Sequence, residues 1–358
     1  VKAWRLNDWK SDPVLVDVER PRPATGEVLV RVGGSGACHS DLHLMHEFGP
    51  GILPWGPPFT LGHEVAGWVE ELGPGVGDGV DLEPGRPVAV YGPWGCGRCE
   101  RCRAGAETYC EDLASAPVPG GGGGLGLDGG MAEFMLVPAA RHVVPLPDGL
   151  EPAAAAPLTD AALTPYHSIR RSWPKLTPGS TALVIGIGGL GHMALQILAA
   201  TTAARVVAVD TRPEALELAR TAGADLALLG DGDTADAIRR FTSGRGADAV
   251  FDCVGSDATL ALGAAVGRTL GDLTIIGLAG GTLPVGFFGV PYELSVQTTY
   301  WGTRPELVEV LDLAARGLIH TEITTFPLEG ALDAYRELEQ GTITGRAVVV
   351  PDTEGRRS

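Results

Sequence analysis

The rhythm of hydrophobic and polar positions changes near residue 150. Upstream, apolar and polar residues alternate in short runs. Glu27-Val28-Leu29-Val30-Arg31-Val32, the stretch 64–70 and Pro87-Val88-Ala89-Val90 each read as half-buried strands. Proline and glycine punctuate these runs, so the first third predicts a compact β-rich lobe with long loops. Residues 153–156 and 157–169 predict helix, with Pro165 marking a break or kink. From Thr181 apolar strands alternate with helices. Strands are expected at 183–185, 205–210, 226–229, 249–254 and 273–276, and helices at 191–200 and 213–222. Such alternation predicts a parallel sheet covered on both faces. The tail from Trp301 predicts helices near 306–315 and 330–340 and a last strand at 346–350 that returns to the first lobe. The expected domains are therefore 1–160, 161–296 and a returning segment 297–358.

Length and charge narrow the possibilities. A chain of 358 residues can build two cores. Hydrophobic residues make up 44% and charged residues 20%, the profile of a globular protein. A formal net charge of −17 repels phosphate backbones and anionic lipid, which argues against nucleic-acid and membrane partners. No apolar run reaches membrane-spanning length, and the first residues lack an apolar core of signal-peptide length. A cytoplasmic location is the expectation. The glycines Gly120 to Gly124, followed by Gly126, Gly129 and Gly130, predict a flexible loop.

Three groups of residues carry chemistry. Cys96, Cys99, Cys102 and Cys110 read C-x2-C-x2-C-x7-C, and four thiolates that close can surround one zinc ion with no open position, a structural site. Two disulfides, or four free thiols, are the alternatives, and a nucleic-acid-binding zinc ribbon is disfavoured by the charge. Gly186-Ile187-Gly188-Gly189-Leu190-Gly191 matches G-x-G-x-x-G between an expected strand and an expected helix, the context of a dinucleotide loop. Asp210, 19 residues after Gly191, can accept hydrogen bonds from ribose hydroxyls and favours NAD over NADP, although Arg212 nearby could accommodate a 2′-phosphate. Thirdly, Cys38 in Gly-Ala-Cys-His-Ser-Asp-Leu-His, His63 with Glu64, and Asp160 offer a thiolate, an imidazole and carboxylates. Three such ligands plus water make a catalytic zinc site. Spacing alone does not reveal it, since a buried cysteine, a structural histidine and a capping aspartate give the same letters.

Taken in order, G-A-C-H-S-D-L-H, G-H-E-V-A-G, the four-cysteine lobe and G-I-G-G-L-G resemble the zinc-dependent medium-chain alcohol dehydrogenases over essentially the whole chain. The stretches 90–96, 157–167 and 300–304 resemble bacterial NAD-dependent secondary-alcohol dehydrogenases. The resemblance implies an α/β protein: a β-rich GroES-like catalytic domain and a Rossmann doubly wound parallel sheet for the cofactor. It implies NAD and two zinc ions per subunit, one structural and one catalytic. Cys38, His63 and Asp160 are then the catalytic ligands, Asp160 standing where many members have cysteine. Glu64 lies beside the metal and binds it transiently. Ser40 bonds the hydroxyl at the metal, and His43 passes its proton to solvent.

His39, Thr164 and Arg346 are implied at the cofactor, Arg346 at its pyrophosphate. Trp55, Leu125, Tyr300 and Trp301 are candidates for an apolar substrate pocket, suited to aryl or medium-length aliphatic alcohols. The implied reaction is reversible hydride transfer between an alcohol and NAD across a gap between the domains. Polyol-oxidising or aldehyde-reducing relatives, and a catalytically idle cofactor-binding protein, are the rival readings. The resemblance also implies a homodimer or tetramer joined through cofactor domains. His46, His142, His167, His192, His320 and Cys253 match no ligand pattern and are expected to be structural.

Overall fold

A computed structural model describes residues 1–77 and 81–351. The chain forms two compact units: one comprises Val1–Asp160, Thr303–Ala315 and the chain from Thr321, and the other comprises Ala161–Gly302 and Arg316–His320. The return to the first unit thus starts at Thr303, past the expected 297. Strand Ser295–Thr298 explains this, because it pairs with Gly267–Ile275 as the last strand of the second unit's sheet.

The first unit is built on a seven-stranded sheet. Its main path runs Val143–Pro145, Pro87–Val90, Glu64–Leu72, Val28–Gly36, Arg346–Val350 and Ile323–Pro327, with Phe134–Val137 also paired to Val28–Gly36. The β-branched runs anticipated from the alternation fill one core through Val28, Val30, Val32, Val65, Val69 and Val88. A second core gathers Trp4, Leu44, Met45, Phe59, Tyr335 and Val349, so the chain's beginning and its returning tail share one interior.

Register decides the chemistry of this sheet. Gly36 on the middle strand pairs with Glu64 on one side and with Val348 on the other. Glu64 and Arg346 therefore stand on strands flanking a residue that has no side chain.

The second unit is a six-stranded, all-parallel sheet ordered Leu226–Leu229, Arg205–Asp210, Thr181–Ile185, Ala247–Asp252, Gly267–Ile275, Ser295–Thr298. In chain order that is 3-2-1-4-5-6, the doubly wound arrangement whose order reverses beside the first strand. Ligands bind outside the carboxyl ends of the strands at that reversal.

Two local expectations change. Pro165 does not break its helix, which runs Leu163–Ser172. A proline in the first turn lacks only an N–H that has no helical partner there anyway. The interruption falls earlier, between the short helix Ala156–Thr159 and Leu163, and Asp160 sits in it with φ −137° and ψ −58°. The glycines after 120 are not a free loop either: Gly122–Gly123 pairs with Gly126–Leu127, and Gly121 to Gly124 are buried.

Candidate active site

Cys38 precedes the single-turn helix His39–Leu42 in extended conformation. Its backbone N–H donates to Asp41 Oδ2 at 3.1 Å, which holds the thiol at the mouth of that turn. His63 precedes strand Glu64–Leu72 and is almost fully buried. Its Nδ1 lies 3.1 Å from Asp41 Oδ1. The opposite nitrogen, Nε2, therefore faces Ser40 Oγ at 3.2 Å and Asp160 Oδ2 at 3.6 Å. One ligand atom each from Cys38, His63, Glu64 and Asp160 falls within 4.8 Å of all the others. An N–O edge of a tetrahedral zinc site measures about 3.4 Å from ordinary bond lengths, so the observed separation suits a shared ion. Burial works against a charge on His63, yet Asp41, Asp160 and Cys38 raise its pKa well above the ordinary histidine value. The cluster favours positive charge at its centre, which is what a cation supplies.

The Glu64 carboxylate is fully buried and meets Arg346 in a two-pronged ion pair, with Nε at 2.9 Å from Oε2 and Nη2 on Oε1. Burial pushes the Glu64 carboxyl up; Arg346 pulls it back and Asp160 pushes it up. Gly36 makes the pair possible, because a Cβ there would overlap Glu64 Oε2. Arg346, expected at a pyrophosphate, is 1% exposed and its guanidinium is engaged by Glu64. The cause is the strand register, which turns it inward toward the metal cluster.

The glycine-rich segment braces the same cluster. Gly124 has φ +76°, and a Cβ on it would stand 2.5 Å from the Gly62 carbonyl group and 2.8 Å from His63 N. Only a residue without a side chain lets this backbone lie against the chain that delivers His63. Trp55 covers the neighbouring glycines, edge-on to Phe59 with ring centroids 5.7 Å apart.

The four cysteines converge in a separate lobe of the first unit. Their sulfurs fall within 4.8 Å of one another, with Cys96–Cys102 at 3.9 Å and Cys99–Cys102 at 3.4 Å. A tetrahedral zinc–thiolate edge is about 3.8 Å, whereas a disulfide is about 2.05 Å. The sulfurs accept backbone N–H groups from Cys96, Arg98, Cys99 and Cys102 at 3.3–3.5 Å. Such bonds lower the thiol pKa of Cys96, and bring that of Cys99 to about 6, while burial raises Cys102 and Cys110. Beneath the lobe Glu107 accepts from Gly95 N at 2.7 Å and Arg141 Nε at 2.9 Å, and lies 2.8 Å from His142 Nε2. His142, expected to be structural, is thus part of the lobe's support.

In the second unit the loop Gly186–Gly191 joins strand Thr181–Ile185 to helix Gly191–Thr201. Gly186 makes the turn at φ +86°, and the face of Gly188 is open, with no atom within 4 Å of where a Cβ would stand. That opening is the room a pyrophosphate needs. Asp210 ends the adjacent strand. Its Oδ2 accepts from Ile187 N at 2.7 Å, and its Oδ1 from Arg212 N and Nε at 2.9 and 3.2 Å. The carboxylate thus sits against the glycine loop, with Arg212 paired to it. Among the described residues this loop fits a dinucleotide, and the two cysteine- and histidine-bearing clusters fit zinc.

The remaining candidates divide between the units. His43 lies in the wide turn His43–Glu47, its Nδ1 2.8 Å from Glu47 Oε2 and its ring stacked on Phe48. His39 is exposed, and Thr164 is buried in the first turn of helix Leu163–Ser172. Trp55 and Leu125 pack on the second core of the first unit. Tyr300 and Trp301 belong to the second, the former half-exposed and the latter buried. Sequence reasoning passed over Asp41 and Tyr335. Asp41 stands inside the quoted Cys-His-Ser-Asp run, but its contacts to both sides of the cluster arise only in three dimensions.

Comparison with known proteins accords with this geometry. Residues 24–148 match the alcohol dehydrogenase GroES-like domain, and residues 189–316 match the zinc-binding dehydrogenase domain. The chain is 36% identical over 356 residues to an alcohol dehydrogenase of Geobacillus stearothermophilus, covering 98% of each. It is 36% identical to an NAD-dependent alcohol dehydrogenase of Sulfurisphaera tokodaii, covering 98% of this chain and 100% of that one. Among solved structures, the alcohol dehydrogenase of the hyperthermophilic archaeon Aeropyrum pernix superposes with a TM-score of 0.88 at 35% identity, covering 98% of this chain and 100% of that one. The two zinc-ready clusters, the dinucleotide loop and these full-length likenesses agree: the chain belongs to the zinc-type medium-chain alcohol dehydrogenases.

Proposed function

We propose that the protein oxidises primary and secondary alcohols, aryl alcohols among them, to aldehydes or ketones with NAD, reversibly. The observation that carries this reading is the convergence of Cys38, His63 and Asp160 with Ser40 Oγ 3.2 Å from the inward nitrogen of His63. Cys38, His63 and Asp160 would hold a zinc ion, which would supply a Lewis acid for the substrate oxygen, and NAD would supply the hydride acceptor.

The protein's own groups do the rest. Ser40 Oγ receives the hydroxyl proton of the alcohol as it releases its own toward solvent. His43, backed by the exposed Glu47, is the exit of that proton to solvent. Arg346 holds Glu64 beside the ligand set and neutralises its charge. Asp210 accepts the ribose hydroxyls and repels a 2′-phosphate, and Gly188 leaves space for the pyrophosphate. Trp55 and Leu125 offer apolar contact to substrate. One extra buried methylene contributes only about 0.8 kcal/mol, so the preference among alcohols is broad.

NADH formation from a panel of alkyl and aryl alcohols, with metal-stripped protein as control, tests the reading. It fails if the metal-loaded enzyme forms no NADH from any alcohol and consumes none with any carbonyl compound.

The protein further acts as a homo-oligomer through its cofactor units. Among the described residues, strand Ser295–Thr298 has one hydrogen-bonded neighbour in its sheet, and Phe287, Phe288 and Tyr292, just before it in sequence, are exposed. A monomer by light scattering at micromolar concentration refutes this. The clustered free thiols, which must stay reduced to hold zinc, support a cytoplasmic location. No helix among the described residues is long and apolar enough to cross a membrane.

A further inference from the structure

Asp41 brackets the metal cluster. Its two oxygens serve two different ligands: Oδ2 accepts the backbone N–H of Cys38 at 3.1 Å, and Oδ1 lies 3.1 Å from Nδ1 of His63. Turning the carboxylate would break both contacts, and a third contact braces Oδ2 against that turn. The hydroxyl of Tyr335 donates to Oδ2 at 3.0 Å, from a residue 294 positions away in sequence.

Tyr335 stands on helix Ala331–Glu339 of the returning tail, 1% exposed, and Asp41 has no exposed surface at all. Around them are Leu42, Leu44, Met45, Leu338 and Val349. In such apolar surroundings a lost hydrogen bond is not replaced by solvent.

We propose that Tyr335 is a positioning residue of the catalytic metal site, acting through Asp41 on Cys38 and His63. Its hydroxyl fixes the plane of the Asp41 carboxylate, and that plane sets both the His63 ring and the turn carrying the Cys38 thiol. The proposal rests on Cys38 and His63 being metal ligands, as proposed above. It gives the tail a role at the metal besides closing the sheet.

The test follows zinc release from the holoenzyme into a chelator. Cys38→Ser identifies the phase that belongs to the catalytic site, leaving the four-cysteine phase. If Cys38→Ser releases zinc like the wild type, the ligand assignment itself is wrong. Tyr335→Phe keeps the ring in the core and removes only the hydroxyl. Partners behind metal ligands typically change affinity 10–100-fold, and one further step out is expected to hasten the catalytic phase about tenfold. The four-cysteine phase stays at the wild-type rate. Asp41→Asn is expected to hasten the same phase by at least as much, and adding Tyr335→Phe to it changes nothing further, because the hydroxyl acts through that carboxylate.

An unchanged catalytic phase in Tyr335→Phe overturns the proposal. So does equal acceleration of both phases, which marks general loosening. Additive effects in the double variant do the same, since they mean that Tyr335 does not act through Asp41. Should Tyr335→Phe not fold, Asp41→Asn alone decides: a wild-type release rate there removes the bracket through which Tyr335 is held to act.

Discussion

Gly36→Ala is the sharpest perturbation the sheet offers. The added methyl would overlap Glu64 Oε2 and lie 3.0 Å from Cβ and Cδ of the same side chain. A surface glutamate would swing aside at little cost. Glu64 cannot, because it is fully buried and bound by two prongs to Arg346, itself 1% exposed. Relieving the overlap separates the pair and leaves two uncompensated buried charges. Breaking a buried ion pair in this way costs about 3–5 kcal/mol. At roughly 2–4 °C per kcal/mol for a folding unit of this size, the first unit's transition falls by about 6–20 °C in calorimetry.

The cause can be isolated with Glu64→Ala, which removes both the charge and the obstructing carboxylate. In that background Gly36→Ala is expected to cost less than about 1 kcal/mol, since the two residues touch and their effects do not add. If Gly36→Ala unfolds within 2 °C of the wild type, or if its cost persists undiminished beside Glu64→Ala, the steric argument is refuted.

Three other outcomes are expected. Asp210→Gly removes the carboxylate that pairs with Arg212 and frees that guanidinium for a 2′-phosphate, so the ratio of kcat/KM for NADP over NAD rises at least about tenfold; an unchanged ratio counts against the ribose role. Cys102→Ala takes one buried sulfur from the four-cysteine lobe and lowers the zinc content from two ions per chain to one, with heat resistance reduced and NAD binding kept, as elemental analysis and calorimetric titration can check. Glu107 is raised by burial but held below its ordinary 4.5 by His142, Arg141 and the Gly95 N–H. A carboxylate depressed in the folded state stabilises fully above its unfolded pKa and loses that contribution as pH falls through its folded value. The wild type therefore loses stability more steeply below about pH 4.5 than Glu107→Gln, and parallel profiles would show that the pairing contributes nothing.

Much of this molecule is written in local patterns. Alternating valines announced the strands of the first unit, and apolar runs spaced by helices announced the parallel sheet of the second, because side-chain periodicity reflects which face is buried. The glycine loop and the four-cysteine lobe were legible for a similar reason: their chemistry needs neighbours close in sequence. Misreadings arose where one residue type serves two purposes. Glycines 120–124 look like slack chain, yet Gly121 packs on Trp55, Gly123 on Trp94 and Gly124 on Gly62 and His63, contacts no local pattern encodes. The resemblance implied Arg346 at the cofactor; its two-pronged pairing with Glu64 follows from strand pairing and is written in no local pattern.

What the sequence determined by itself was the inventory: two kinds of unit, the donor atoms, and the loop for a dinucleotide. What only the tertiary structure decided was who stands beside whom. Cys38, His63 and Asp160 are separated by tens of residues, and Tyr335 lies 294 residues from Asp41. Hydrogen bonds and metal ligation act over about 2–3 Å, so their partners are chosen by strand register and helix packing rather than by order along the chain.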